Sequence, residues 1–66
     1  MQQPALKISR LRAMRKRLNL KLRNVAELIH SSPQMVWKQE QYGIKTIRIA
    51  KRYATALNCD WKDLLD

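Results

Sequence analysis

The stretch Val25-Ala26-Glu27-Leu28-Ile29-His30-Ser31-Ser32-Pro33-Gln34-Met35-Val36-Trp37-Lys38-Gln39-Glu40 decides the fold. Val25, Ala26 and Ile29, with Leu22 before them, fall at helical spacing and predict a helix of about two turns. His30-Ser31-Ser32-Pro33 then reads as a break followed by a restart. A Ser32 hydroxyl can accept from exposed backbone amides, and Pro33 suits the first helical position, where no amide hydrogen is needed. The next helix is therefore predicted from Pro33 to Gln41, with Tyr42-Gly43 as the following loop.

Outward from this pair, Ile8, Leu11, Met14 and Leu18 recur at spacings of three, three and four. They predict an amphipathic first helix over Pro4 to Leu18, with Pro4 tolerated in its first turn and Asn19 breaking it. On the other side, Ile47, Ala50, Ala54 and Leu57 define a fourth helix whose remaining faces carry Arg48, Lys51 and Arg52. Asn58-Cys59 closes it. Asp60 then caps a short fifth helix, with Asp63 three residues on and Trp61, Leu64 and Leu65 as its apolar face. The expectation is all-α: five short helices in a compact bundle that fills residues 1–66 as one domain.

Composition narrows the class. The 66 residues hold 14 Lys and Arg against 5 Asp and Glu, a formal charge of +9, yet 45% are hydrophobic. That is too apolar for a disordered basic tail and too short for two cores. A single cysteine, Cys59, and a single histidine, His30, offer neither a disulfide nor a zinc-type ligand set. Cys59 reads as a small packed thiol and His30 as a turn residue. The carboxylates of Glu27, Glu40, Asp60, Asp63 and Asp66 are never paired beside a nucleophile, so neither an enzyme nor a cofactor, metal or small-molecule substrate is expected. No run approaches the ~18 apolar residues of a membrane span, and Met1-Gln2-Gln3-Pro4 lacks a signal peptide's charged start. A cytoplasmic protein with no membrane partner is expected. Eight of the fourteen cations and no acid lie in residues 1–26. Such a run fits a solvated face as well as a polyanion site, but the whole-chain charge makes a polyanion the expected partner.

These residues carry a resemblance. Leu11-Arg12 and Arg15, then Leu20, Val25-Ala26 and Ile29, then Ser32, Val36 and Glu40, then Tyr53-Ala54-Thr55-Ala56-Leu57 and Leu64-Leu65 share the spacing of one known family. Over residues 8–65 the chain resembles the helix-turn-helix DNA-binding domains of the phage Cro and repressor family, the xenobiotic-response-element type. The resemblance implies a lambda-repressor-like fold in which helices 2 and 3 form the helix-turn-helix. It departs from the family at Lys21-Leu22, where a Ser or Thr cap and a Gln are usual, and at His30-Ser31, where Gly and an apolar residue are usual. His30 must then accept left-handed dihedrals at roughly 1 kcal/mol. Gln39 stands where an aliphatic side chain is usually buried, and Gly43 comes one residue late.

The resemblance also implies roles. Helix 3 enters the major groove, so that Gln34 reads adenine N6 and N7 and Lys38 donates to guanine. Pro33 and Met35 offer apolar contact to a thymine methyl, with a core role equally open for Met35, and Gln41 shares the exposed angle; a solvated face is the plain alternative. Lys45 and Arg48 occupy positions that hold phosphates, and Lys21, Arg23 and Arg10 extend the positive strip. Arg15 and Glu40 correspond to a structural ion pair joining helices 1 and 3. Trp37 is the anomaly: a large ring at the DNA-facing angle, which either packs across helix 3 into the space beside Gln39, the expected outcome, or lies at the groove edge. The implied function is a Cro-like phage or prophage repressor that binds double-stranded DNA and occludes a promoter. Dimerisation on a palindromic operator, with half-sites about 34 Å apart, is expected through Trp61 and Ile49. Two other classes stay open: an RNA-binding module gripping a groove with Arg10 to Arg23, and an antitoxin-type autoregulator.

Overall fold

The computed structural model describes residues 8–66, and the caps set its elements. Ser9 is extended, and its Oγ accepts from the Arg12 amide at 3.2 Å, so helix α1 runs Arg10–Arg17. The predicted start at Pro4 lies outside the described residues. Ile8 precedes the cap and stands exposed, and Leu18 falls at the helix end, also exposed. Of the expected stripe, Leu11 is fully buried and Met14 packs against the core.

Helix α2 spans Leu22–Leu28, α3 spans Pro33–Tyr42 and α4 spans Ile47–Leu57. Asn24 Oδ1 accepts from the Lys21 amide at 2.8 Å and closes the start of α2. Ser32 Oγ accepts from the Met35 amide at 3.2 Å, with Pro33 beginning α3, and Thr46 Oγ1 accepts from the Ile49 amide at 3.3 Å. The predicted fifth helix is instead one 3-10 turn, Trp61–Asp63, capped by Asp60 Oδ1 on the Lys62 amide at 3.1 Å. It stops there because the chain extends again: Leu65 makes a single parallel bridge with Ile44. Leu64 is fully buried, with Trp61 and Leu65 partly so. The described residues thus form four α-helices and one 3-10 turn. No helix among them is long and apolar enough to cross a membrane.

One ending recurs. Asn19, His30 and Asn58 have φ of 58°, 58° and 57° and follow α1, α2 and α4. The amides of Leu20, Ser31 and Cys59 return to the carbonyls of Arg15, Ala26 and Ala54 at 3.0, 2.8 and 3.0 Å. This closure satisfies carbonyls left free at a helix end and usually takes glycine at its left-handed position. With one glycine in the chain, short polar side chains and an imidazole fill it instead.

That glycine, Gly43, ends α3 with φ 81° and ψ 166°. A Cβ there would sit 2.8 Å from Asp66 Oδ2, the oxygen that accepts from the Ile44 amide at 2.9 Å. Asp66 Oδ1 accepts from the Arg10 amide at 3.1 Å, so one carboxylate clasps the start of α1 to the loop after α3. Gly43→Ala is expected to destabilise by about 2 kcal/mol, since a backbone region almost restricted to glycine costs of order 1–3 kcal/mol. Urea melts check this; measured against an Asp66→Ala parent, which has already lost the clasp and the clash, Gly43→Ala should cost less and keep only the dihedral part.

The core gathers Leu11, Val25, Ala26, Ile29, Val36, Ile44, Ala50, Tyr53, Ala54, Leu57 and Leu64. Ile47, expected inside, is half-exposed at the first turn of α4, and Tyr53 fills the inner face further on. Helix α3 packs on both α1 and α2, α2 on α4, and the 3-10 turn on α4. Arg52 of α4 donates from Nη2 to the Ile29 carbonyl at 2.8 Å and fastens the end of α2.

Candidate nucleic-acid interface

Helix α3 is anchored from beneath. Arg15 Nε donates to Glu40 Oε2 at 2.5 Å and Nη2 to Oε1 at 3.1 Å, a two-pronged pair in which the Glu40 side chain is 2% exposed. Arg15 Nη1 also donates to the Leu20 carbonyl at 3.0 Å. One guanidinium thereby joins α1, α3 and the loop into α2. Val36 is fully buried beside this anchor, which fixes the rotation of α3 about its axis.

With that rotation, Pro33, Gln34, Met35, Trp37, Lys38, Gln41 and Tyr42 are all exposed. Met35 is therefore a surface residue and not a core one. Trp37 corrects the sequence expectation: its ring is 52% exposed and does not fill the space beside Gln39. The reason is helical phase. Gln39 lies about 200° further round the helix than Trp37, on the half-buried side, where its Nε2 donates to the Gly43 carbonyl at 2.8 Å. The amide thus makes a polar tie where an aliphatic side chain was the pattern.

The five cations expected to hold phosphates are all exposed and fall in three places. Lys21 and Arg23 stand at the start of α2, Arg48 in the first turn of α4, and Arg10 and Lys45 line a depression of about 490 Å³ with Gln41, Tyr42 and Asp66. Gln41, at the end of α3, thus shares a concavity with two of the expected phosphate ligands. No carboxylate lies on the exposed arc of α3. Asp66, which sequence reasoning assigned no role, is engaged by the Arg10 and Ile44 amides.

Trp61 and Ile49 are partly buried against the core. The Nζ atoms of Lys51 and Lys62 each stand 5.9 Å from the Trp61 ring centroid, within cation–π range. Beside them a groove of about 380 Å³ is lined by Ala54, Thr55, Cys59 and Asp60. Burial pushes the Cys59 thiol up, and the Asp63 and Asp60 carboxylates add to it, so the sulfur stays a protonated thiol. His30 serves as the left-handed turn residue. Among the described residues no cluster of His, Cys, Asp and Glu is arranged to hold a metal ion.

Arg52, Asn24 and Asp66 were missed by the sequence reading. Arg52 and Asp66 act across 23 and 56 residues, and periodicity carries no signal of such partners. Asn24 was legible in principle, three residues after Lys21, as an N-terminal capping side chain. Compared with known protein families, curated proteins and solved structures, the chain finds no match.

Proposed function

We propose that the protein is a sequence-specific double-stranded DNA-binding transcriptional regulator, a Cro-like repressor that occludes a promoter. In this reading α2 and α3 act as the helix-turn-helix, with α3 in the major groove. The observation that carries it is the outer face of α3. Gln34, Lys38 and Gln41 stand exposed on a helix whose rotation is fixed from beneath by the buried Arg15–Glu40 pair, in a chain of charge +9. A glutamine amide both gives and takes hydrogen bonds in one plane, and a lysine donates to guanine, which is what base edges in the major groove require. Lys21, Arg23, Lys45, Arg48 and Arg10 hold phosphates. Two copies meet through the Trp61 and Ile49 side on a palindromic operator, and the repressor works in the cytoplasm without cofactor.

Selection of bound duplexes from a random pool tests the reading. On the selected duplex, Gln34→Ala and Lys38→Ala should each cost roughly 1–3 kcal/mol, with little change on unrelated DNA. Lys45→Ala and Arg48→Ala should weaken both alike. An unchanged ratio of specific to non-specific affinity in Gln34→Ala would refute α3 as the reader. Stronger enrichment from an RNA pool would overturn the duplex-DNA reading and favour the RNA-binding class.

A further inference from the structure

The base-reading role accounts for the polar residues of α3 but not for its large apolar ones. At about 100° per residue, Gln41, Gln34 and Lys38 form a polar ridge along the middle of the exposed arc. Pro33 and Trp37 flank it on one side, Tyr42 and Met35 on the other. Trp37 is 52%, Met35 55% and Tyr42 73% exposed, and none of the three belongs to the side chains packed against the core, so half or more of each faces solvent. An indole is an apolar surface with one donor and no acceptor. In the major groove the apolar feature of a base edge is the methyl group on pyrimidine C5, carried by thymine. A methyl added to cytosine at C5 presents the same surface.

We infer that Trp37 is a specificity-determining residue that reads C5-methyl groups of pyrimidines beside the base contacted by Gln34 or Gln41. The inference rests on the DNA-binding reading and deepens it: the preferred partner is duplex DNA with a C5-methylated pyrimidine at a fixed place in each half-site. Thymine and 5-methylcytosine share that chemistry. Gln34 and Gln41 lie three and four residues from Trp37, so ring and amides reach neighbouring base steps from one helix face.

The test uses the full chain and the duplex it selects. Uracil replaces each thymine in turn, which removes the methyl and leaves every hydrogen-bonding group in place; 5-methylcytosine replaces each cytosine in turn. The parent protein should lose about fourfold in affinity per thymine methyl removed at the read position, from about 0.8 kcal/mol per buried methyl at 1.4 kcal/mol per tenfold. If cytosine occupies that position, methylation should raise affinity by a similar factor, and the arm that responds identifies the source. Trp37→Ala should bind methylated and unmethylated duplexes equally, whereas Lys38→Ala should keep the full response. The thermal midpoint of Trp37→Ala should match the parent, as befits an exposed ring.

Insensitivity of the parent to both replacements overturns the inference while leaving Gln34-dependent DNA binding intact. An equal methyl response in Trp37→Ala and parent assigns the methyl to another side chain and also overturns it. A large fall in the Trp37→Ala midpoint would do the same, by giving the ring a place in the fold. If no duplex is enriched, the DNA-binding reading falls and takes this inference with it.

Discussion

Arg15→Ala is expected to cost about 3–5 kcal/mol of folding stability, the range for removing one partner of a buried pair. The deletion leaves the Glu40 carboxylate, 2% exposed, without either of its guanidinium donors, and frees the Leu20 carbonyl as well. A domain of this length has of order 3–10 kcal/mol in total at about 0.05–0.15 kcal/mol per residue. The variant should therefore be largely unfolded at 37 °C, as far-UV circular dichroism during urea titration will report. Arg15→Lys keeps the charge but cannot form the two-pronged pair or the third bond, so it should recover only part of the loss. Replacing both partners by Met and Leu should recover more, because no charge is then stranded. A loss below 1 kcal/mol in Arg15→Ala would show that the pair does not hold α3 in place.

The start of α3 was legible from the local chemistry of Ser32 and Pro33, and the existence of α2 and α4 from their hydrophobic period, whereas the Ser9 and Thr46 caps that begin α1 and α4 were not. The left-handed turn at His30 followed from the resemblance and from helix-end geometry, and its φ is 58°. The fifth helix failed because Asp60 caps equally well a single 3-10 turn. What cut that turn short is the pairing of Leu65 and Asp66 with Ile44, a contact across more than twenty residues.

The outward position of Trp37 has a different cause. Its helical angle, fixed by Val36 and Glu40, already placed it outward, but the cost of leaving a large ring in water argued for packing. Phase prevailed, since a side chain about 200° from Gln39 cannot reach its space without crossing the helix. The buried anchor outweighs the preference of an exposed ring: turning α3 to bury Trp37 would expose Val36 and break the Arg15–Glu40 pair. An apolar ring held outward by a stronger constraint is available for a partner, which is why the correction bears on function as well as fold.

The second large effect is expected in salt. Each phosphate neutralised on a duplex releases condensed counterion, with a slope of about −0.9 per contact in log affinity against log salt. Arg10, Lys21, Arg23, Lys45 and Arg48 are all exposed, and two copies supplying about eight contacts from this set give a slope near −7. Between 50 and 200 mM salt, affinity for the selected duplex should fall roughly ten-thousand-fold. Arg48→Ala, which removes one contact per copy, should make the slope shallower by about 2 and weaken specific and unrelated duplexes together. Gln34→Ala should leave the slope unchanged while lowering specific affinity, because an amide on a base edge releases no counterion. Anisotropy titrations at four salt concentrations separate the two classes of residue. A nearly flat response would remove the phosphate contacts, and a slope unaffected by Arg48→Ala would place the contacts on other cations. The net charge of +9 alone predicts attraction to any polyanion; residue-by-residue changes in slope are what would tie that attraction to one surface, and hence to one docking geometry of α3.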